Sequence, residues 1–296
     1  MILFFVFANV FAQNVSLIDI NNNQSLLYTN PSFAGSNGGL RAQSLYQIVN
    51  PNTPYTYVGY YAGADTYVKK LKGAFAFTYS GNSNTRGLQT FRDYGLTYAQ
   101  HAIINNKFKI IPSIQVVYFQ NKMSKDFILP PPISGIQPNF NRNNTGFDIS
   151  GGLLFQYENF YGGISAFNLN RPDVGFLTRG PLATLVNIHA SYNFFVSEKM
   201  LIQVSGKFIT SIGNSLQLNV NTLLFKHFIC GMNTLNTEYL GGTIGYRANY
   251  FSVTSSYLHN MSGFGGNYND NVYQLALSYN LRNKENRKKL TAFEAW

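Results

Sequence analysis

Four histidines, one cysteine and scattered serines and aspartates are the residues of this chain with chemistry to offer. Their spacing decides what that chemistry is. His101, His189, His227 and His259 show none of the short intervals that bring two imidazoles to one metal ion. Cys230 is the single cysteine, so no intramolecular disulfide forms. Between Ile229 and Gly231 it reads as a small side chain in a strand. His189 with a neighbouring strand serine is the kind of pair a hydrolase uses, nucleophile beside base. No Gly-x-Ser-x-Gly elbow accompanies it, and the glycines form neither Gly-x-Gly-x-x-Gly nor a phosphate loop. His189 therefore reads as a polar residue on one face of a strand, and the chain as a non-enzyme that needs no cofactor or metal.

Binding chemistry is better represented. The stretch from Gln120 to Thr145 holds Pro130, Pro131 and Pro132 among Phe127, Ile128, Leu129, Ile133, Ile136 and Phe140. Proline stiffens a loop and apolar groups require cover, so Phe127, Ile128, Ile133 and Phe140 are candidates for a partner surface. The last residues, 282–296, are basic and then aromatic. Arg287, Lys288 and Lys289 suit an acidic surface, and Phe293 and Trp296 suit a partner's pocket. The competing readings are a loop that covers its own barrel and a solvated end.

The elements that must position these residues are short amphipathic strands. From Val272 to Leu281, Tyr273, Leu275, Leu277, Tyr279 and Leu281 alternate with Gln274, Ala276, Ser278 and Asn280. Phe147, Ile149, Leu153 and Phe155 alternate with Asp148, Ser150, Gly152 and Gln156 in the same way. Val186, Ile188, Ala190, Tyr192 and Phe194 alternate with Asn187, His189, Ser191 and Asn193. A period of two means one apolar and one polar face. About fourteen such segments span residues 40–281, and the gaps between them alternate short and long. An even strand number, short turns at one end and longer loops at the other describe a transmembrane antiparallel β-barrel, all-β, with short periplasmic turns and longer extracellular loops. Asn, Gln and Ser would line the lumen. Tyr157, Tyr161, Phe194, Phe195, Tyr246 and Tyr250, at strand ends, would form interfacial girdles.

Composition agrees. Charged residues make up 11% of the 296, well below the roughly 25% of a soluble domain. With 25 Phe and 21 Tyr to cover, a soluble chain would have too few charges to keep its aromatics apart. No apolar run approaches the roughly 20 residues of a spanning helix. The +10 net charge is spread over connections and the final stretch, not gathered on a stripe, which argues against nucleic acid and for anionic membrane surfaces or acidic partners. Residues 1–12, an apolar run with Val10 and Ala12 before Gln13, read as an export signal cleaved after Ala12. It lacks the usual basic opening, which places the true start upstream. Outer-membrane lipid is thus the expected surrounding.

Residues 13–39 form a periplasmic lead-in that contains Tyr28-Thr29-Asn30-Pro31-Ser32-Phe33-Ala34-Gly35-Ser36, followed by Arg41 and an aromatic strand. Asn-Pro and Gly35 read as a structured turn. This stretch resembles the opening of the PorP/SprF family, in which Asn30, Pro31, Phe33, Ala34, Gly35 and Arg41 occupy the family motif. Tyr67 to Ala74 is similar to the family's turn into its third strand. Asp148 to Phe155 with Phe160 to Ser165 is similar to its glycine-bearing hairpin, with Asn168 where His or Asn is common. Two departures exist: Tyr46-Gln47-Ile48-Val49 replaces the family's Tyr-Arg-x-Gln-Trp, and the chain continues past Leu281, which together suggest a specialised paralogue. The resemblance implies an outer-membrane barrel of type IX secretion or gliding motility, an export partner or anchor for a secreted or surface-attached cargo such as an adhesin, linked to periplasmic components. A passive porin-like channel for small solutes is the alternative.

Overall fold

The computed structural model describes residues 20, 24–51, 53, 56–84, 88–105, 107–125, 142–176, 179–210, 214–261 and 271–281. The expected signal at 1–12, the loop residues Phe127, Ile128, Ile133 and Phe140, and the basic aromatic end with Arg287, Lys288, Lys289, Phe293 and Trp296 lie outside them.

Fourteen long strands make the wall among the described residues. They are β1 (Leu40–Val49), β2 (Tyr57–Val68), β3 (Gly73–Asn84), β4 (Gln89–Gln100), β5 (Phe108–Met123), β6 (Asn143–Tyr157) and β7 (Phe160–Phe167). The ring continues with β8 (Leu185–Ser197), β9 (Met200–Thr210), β10 (Ser215–Leu224), β11 (Phe228–Leu235), β12 (Tyr239–Arg247), β13 (Phe251–Asn260) and β14 (Asn271–Leu281). Every neighbour is antiparallel and next in sequence, and β1 closes on β14 from Leu40↔Leu281 to Val49↔Val272. A two-residue strand, Ala102–Ile103, adds a spur to β5 without joining the wall. Closure leaves no row of unpaired N–H and C=O groups facing lipid, which a membrane would not tolerate. No helix among the described residues is long and apolar enough to cross a membrane.

The period of two sorts the side chains. In β14, Tyr273, Leu275, Leu277 and Tyr279 face outward and exposed, while Gln274, Ala276 and Ser278 are buried inside. In β8, Asn187, His189, Ser191 and Asn193 are inside and Ile188, Tyr192 and Phe194 outside. Tyr79, Tyr94, Tyr118 and Phe147 stand in register on β3 to β6, with successive ring centroids 5.1, 6.2 and 5.5 Å apart. Such a row suits the headgroup region. Tyr157, Phe194 and Tyr246 also face outward, and Phe195 and Tyr250 are exposed at strand ends. Tyr161 does not: its partners Gln156 and Ser191 are inward, so it points into the lumen and is buried there, while Phe160 takes the outer position.

Connections alternate as the sequence suggests, with one refinement. Several loops are shorter than expected because polar residues continue the ladders. Ser80–Asn84 pairs with Gln89–Asp93, and Gln120–Lys122 pairs with Asn143–Thr145. Above the bilayer the outer face need not be apolar, so strand pairing outlasts the alternation that reveals it.

Leu96, 67% exposed near the middle of β4, tests the outward assignment. Leu96→Arg is expected to destabilise the barrel by about 2–4 kcal/mol, the depth-dependent cost of a cation at the membrane midplane. Denaturant titration of protein folded in phospholipid vesicles measures it; an unchanged midpoint would refute the placement.

Candidate functional site: the plugged lumen

The lead-in is not a periplasmic appendage. Residues 24–39 pack inside the barrel near its short-turn end, which corrects the sequence reading. Strand periodicity reports which face is polar but not what fills the space it encloses. Leu26, Leu27, Phe33 and Ala34 form one buried cluster with Leu45, Tyr61, Ala74, Ala99, Ile111, Leu154 and Tyr161 of the wall. Further up, Ile20 packs with Leu258 and Val272 at the long-loop end, where Gln217 Nε2 donates to its carbonyl.

The plug is built from two short turns. Leu26–Thr29 makes one helical turn and Pro31–Phe33 a 3-10 turn, with Asn30 as the cap between them. Asn30 Oδ1 accepts from Ser32 N at 2.9 Å, and Pro31 follows at the first position, where its missing N–H costs nothing. The other half of the Asn30 amide holds the wall. Its Nδ2 donates to Leu153 O at 3.3 Å and Ile164 O at 3.2 Å, and lies 3.1 Å from His189 Nε2. One side chain thus ties β6, β7 and β8 together. A Cβ at Gly152 would sit 2.1 Å from Asn30 Oδ1, and one at Gly163 would sit 3.0 Å from Asn30 Nδ2. Those two glycines make room for the asparagine.

Phe33 stands edge-on to Tyr161, centroids 5.5 Å apart, and close to the His189 ring at 5.3 Å. Ser32 and Ser113 hydroxyls are 2.8 Å apart, and His101 Nε2 donates to Ala34 O at 2.8 Å. Ser165 Oγ and Asn187 Nδ2 both donate to Thr29 O. Gly35 has φ +69°, and a Cβ there would be 2.3 Å from Ala74 Cβ, so both backbone and space require glycine.

A buried ion pair fastens the plug's lower end. Arg41 Nε donates to Asp65 Oδ1 at 2.8 Å, its Nη2 donates to Phe33 O at 2.8 Å, and Gly35 N donates to Asp65 Oδ2 at 2.6 Å. Arg41 and Asp65 are direct cross-strand partners on β1 and β2, both at most 3% exposed. Asp65 was not singled out from the sequence, although an acidic residue opposite Arg41 on an inward face is a readable signal. The motif residues Asn30, Pro31, Phe33, Ala34, Gly35 and Arg41 therefore converge on one structure.

Residues 14–279 match the family described as type IX secretion system membrane protein PorP/SprF. The chain belongs to the PorP/SprF family. No curated protein matches it in sequence. Its fold is similar to that of solved barrels at low identity. The Ralstonia pickettii toluene transporter TbuX has a TM-score of 0.54 at 10% identity, covering 86% of this chain and 92% of its own. The CymD monoaromatic hydrocarbon channel has 0.56 at 11%, covering 88% and 93%. The Pseudomonas putida toluene transporter TodX has 0.50 at 10%, covering 86% and 92%. These likenesses establish an outer-membrane barrel fold. Family and fold together give an outer-membrane barrel of type IX secretion.

Above the plug lies a cavity of about 310 Å³, floored by Leu27, Tyr28 and Thr29. Its walls combine Phe91, Phe119 and Leu182 with Asp93, Asp148, Asn187 and Lys207. The β7–β8 connection closes one side of it. Strand β7 stops at Phe167, and Asn170 then stands in for a strand partner of β6, accepting from Ile149 N at 3.0 Å and donating to Phe147 O at 2.9 Å. Val174 turns inward and receives Asn121 Nδ2 on its carbonyl. Gly180 and Gly175 amides donate to Asp173 Oδ1 and hold that exposed carboxyl below the usual carboxylate range. Much of Asn168–Asp173 thus repairs the wall.

Asp65→Ala leaves the Arg41 charge buried and alone, so it is expected to cost about 3–5 kcal/mol. Gly35→Ala is expected to dislodge the same segment through the Ala74 clash. Urea unfolding in detergent measures the first, and protease cleavage within residues 24–39 detects the second. Wild-type stability and protection in both would show that the plug does not rest on these contacts.

Proposed function

We propose that this barrel is a non-enzymatic component of the type IX secretion and gliding machinery. It acts as export partner or outer-membrane anchor for a cell-surface protein and links that cargo to periplasmic components. The observation that carries the reading is the plug: the chain's own segment is hydrogen-bonded to β2, β5, β6, β7 and β8 and occupies the lumen near the periplasmic end. A stopper fixed by a buried ion pair and an asparagine cross-tie suits a closed scaffold better than a freely open pore. A scaffold gains from it, because ordering the wall in advance lowers the entropy lost when a partner binds. The family's association with type IX secretion supports the choice of machinery.

His189 has a structural place in this reading. It lies under Phe33 and beside Asn30, covered by the plug.

In planar bilayers the intact protein is expected to be electrically silent, and a variant lacking residues 20–39 is expected to pass steady current. Steady current from the intact protein would favour the porin-like alternative. In cells, deleting the gene is expected to abolish surface display of at least one exported protein; an unchanged surface proteome would remove the secretion role.

A further inference from the structure

The chamber above the plug has a chemical preference that the plug itself does not explain. Among the described residues the charged side chains that line it are Asp93, Asp148 and Lys207, two carboxylates against one ammonium. Asp93 pairs in register with Phe119 and Asp148 with Val117, so the carboxylates flank β5 on the lumen face. Asp148 is 6% exposed. Its Oδ2 accepts from Ser150 Oγ at 2.9 Å and from Asn168 N at 3.3 Å, whereas its buried Oδ1 has no donor among the described residues. Asn187, 5% exposed, spends its Nδ2 on Thr29 O and leaves its buried Oδ1 without a donor among the described residues. Both unmet groups are acceptors, and buried acceptors are costly until a donor reaches them.

The apolar part of the lining is equally specific. Phe91 and Phe119 stack on each other with centroids 5.9 Å apart and planes 6° apart, and give the chamber an apolar side along which an aliphatic stem can lie. A volume of about 310 Å³ holds a few side chains and sits at the low end of small-ligand sites. The floor at Leu27–Thr29 faces an occupant arriving from the long-loop side.

We propose that this chamber receives an arginine or lysine side chain of the exported polypeptide, with Asp148 and Asp93 as counter-charges. The proposal rests on the export role argued above, and it names the chemistry of the cargo segment that docks. One positive charge would balance the excess carboxylate of the described lining, its N–H donors would meet the carboxylates from the cavity, and its stem would lie along the apolar Phe91–Phe119 side.

The test uses the full-length protein purified in detergent and three probes: acetyl-Gly-Arg-Gly-amide, the same peptide with citrulline, and agmatine. Calorimetric titration is expected to show the arginine peptide bound at least tenfold more tightly than the citrulline peptide and more tightly than agmatine. Asp148→Asn and, separately, Asp93→Asn are each expected to weaken the arginine peptide about tenfold or more. Heat-modifiable migration on gels shows whether each variant is folded; if one is not, the other decides. Equal binding of arginine and citrulline peptides, no binding of either, or no effect of the folded variants would overturn the proposal. Agmatine binding as tightly as the peptide would overturn it in favour of a free organic cation. Normal cargo display in cells carrying Asp148→Asn, where the gene deletion abolishes it, would sink the chamber's role and leave the secretion role standing. Normal display in the deletion itself would sink the secretion role, whatever the titrations show.

Discussion

Inside a bilayer no water is available to satisfy a peptide group, and the rest of this structure follows from that constraint. It forces the strands into a ring in which β1 meets β14, and it forces the apolar face of every strand outward. What remains for the interior is the polar face, an Asn-, Gln- and Ser-rich surface whose own hydrogen-bonding groups then need partners. The plug supplies many of them. Asn30, Thr29, Ser32, Phe33 and Ala34 each meet a wall group, so the polar lumen and the segment within it complete each other.

That complementarity explains why two distant sequence signatures occur together. The Asn-Pro opening and the glycine-bearing hairpin look unrelated along the chain. In space Gly152 and Gly163 vacate the volume that Asn30 occupies, and the carbonyls of Leu153 and Ile164 receive its amide. Arg41 and Asp65 play the same part lower down, where a buried pair is tolerated because Phe33 O and Gly35 N complete its hydrogen bonds. A buried pair of this kind does more to fix the position of the segment than to add stability. The chamber above is different in character. Its wall mixes aromatic, acidic and amide groups that the plug leaves partly unmet, and its side is mended by a loop instead of a strand.

The sequence by itself determined the wall. Alternation is local, each strand carries its own period, and one slip of register would turn every apolar group inward, so strand number, faces and the order of short and long connections were legible. Tyr161 is the exception, because aromatic character at a strand end does not reveal which parity faces the lumen. What the wall encloses follows from long-range contacts instead. The contacts of Asn30 reach 123 and 134 positions along the chain, and those of Thr29 reach 136 and 158. Interactions at such separations leave no period in the local sequence, and a turn built on Asn-Pro and glycine looks the same in a periplasmic loop as inside a barrel. The location of the segment and the grouping of Asp93, Asp148, Asn187 and Lys207 around one chamber depend on the curvature of the closed sheet, which brings together side chains that no single strand contains.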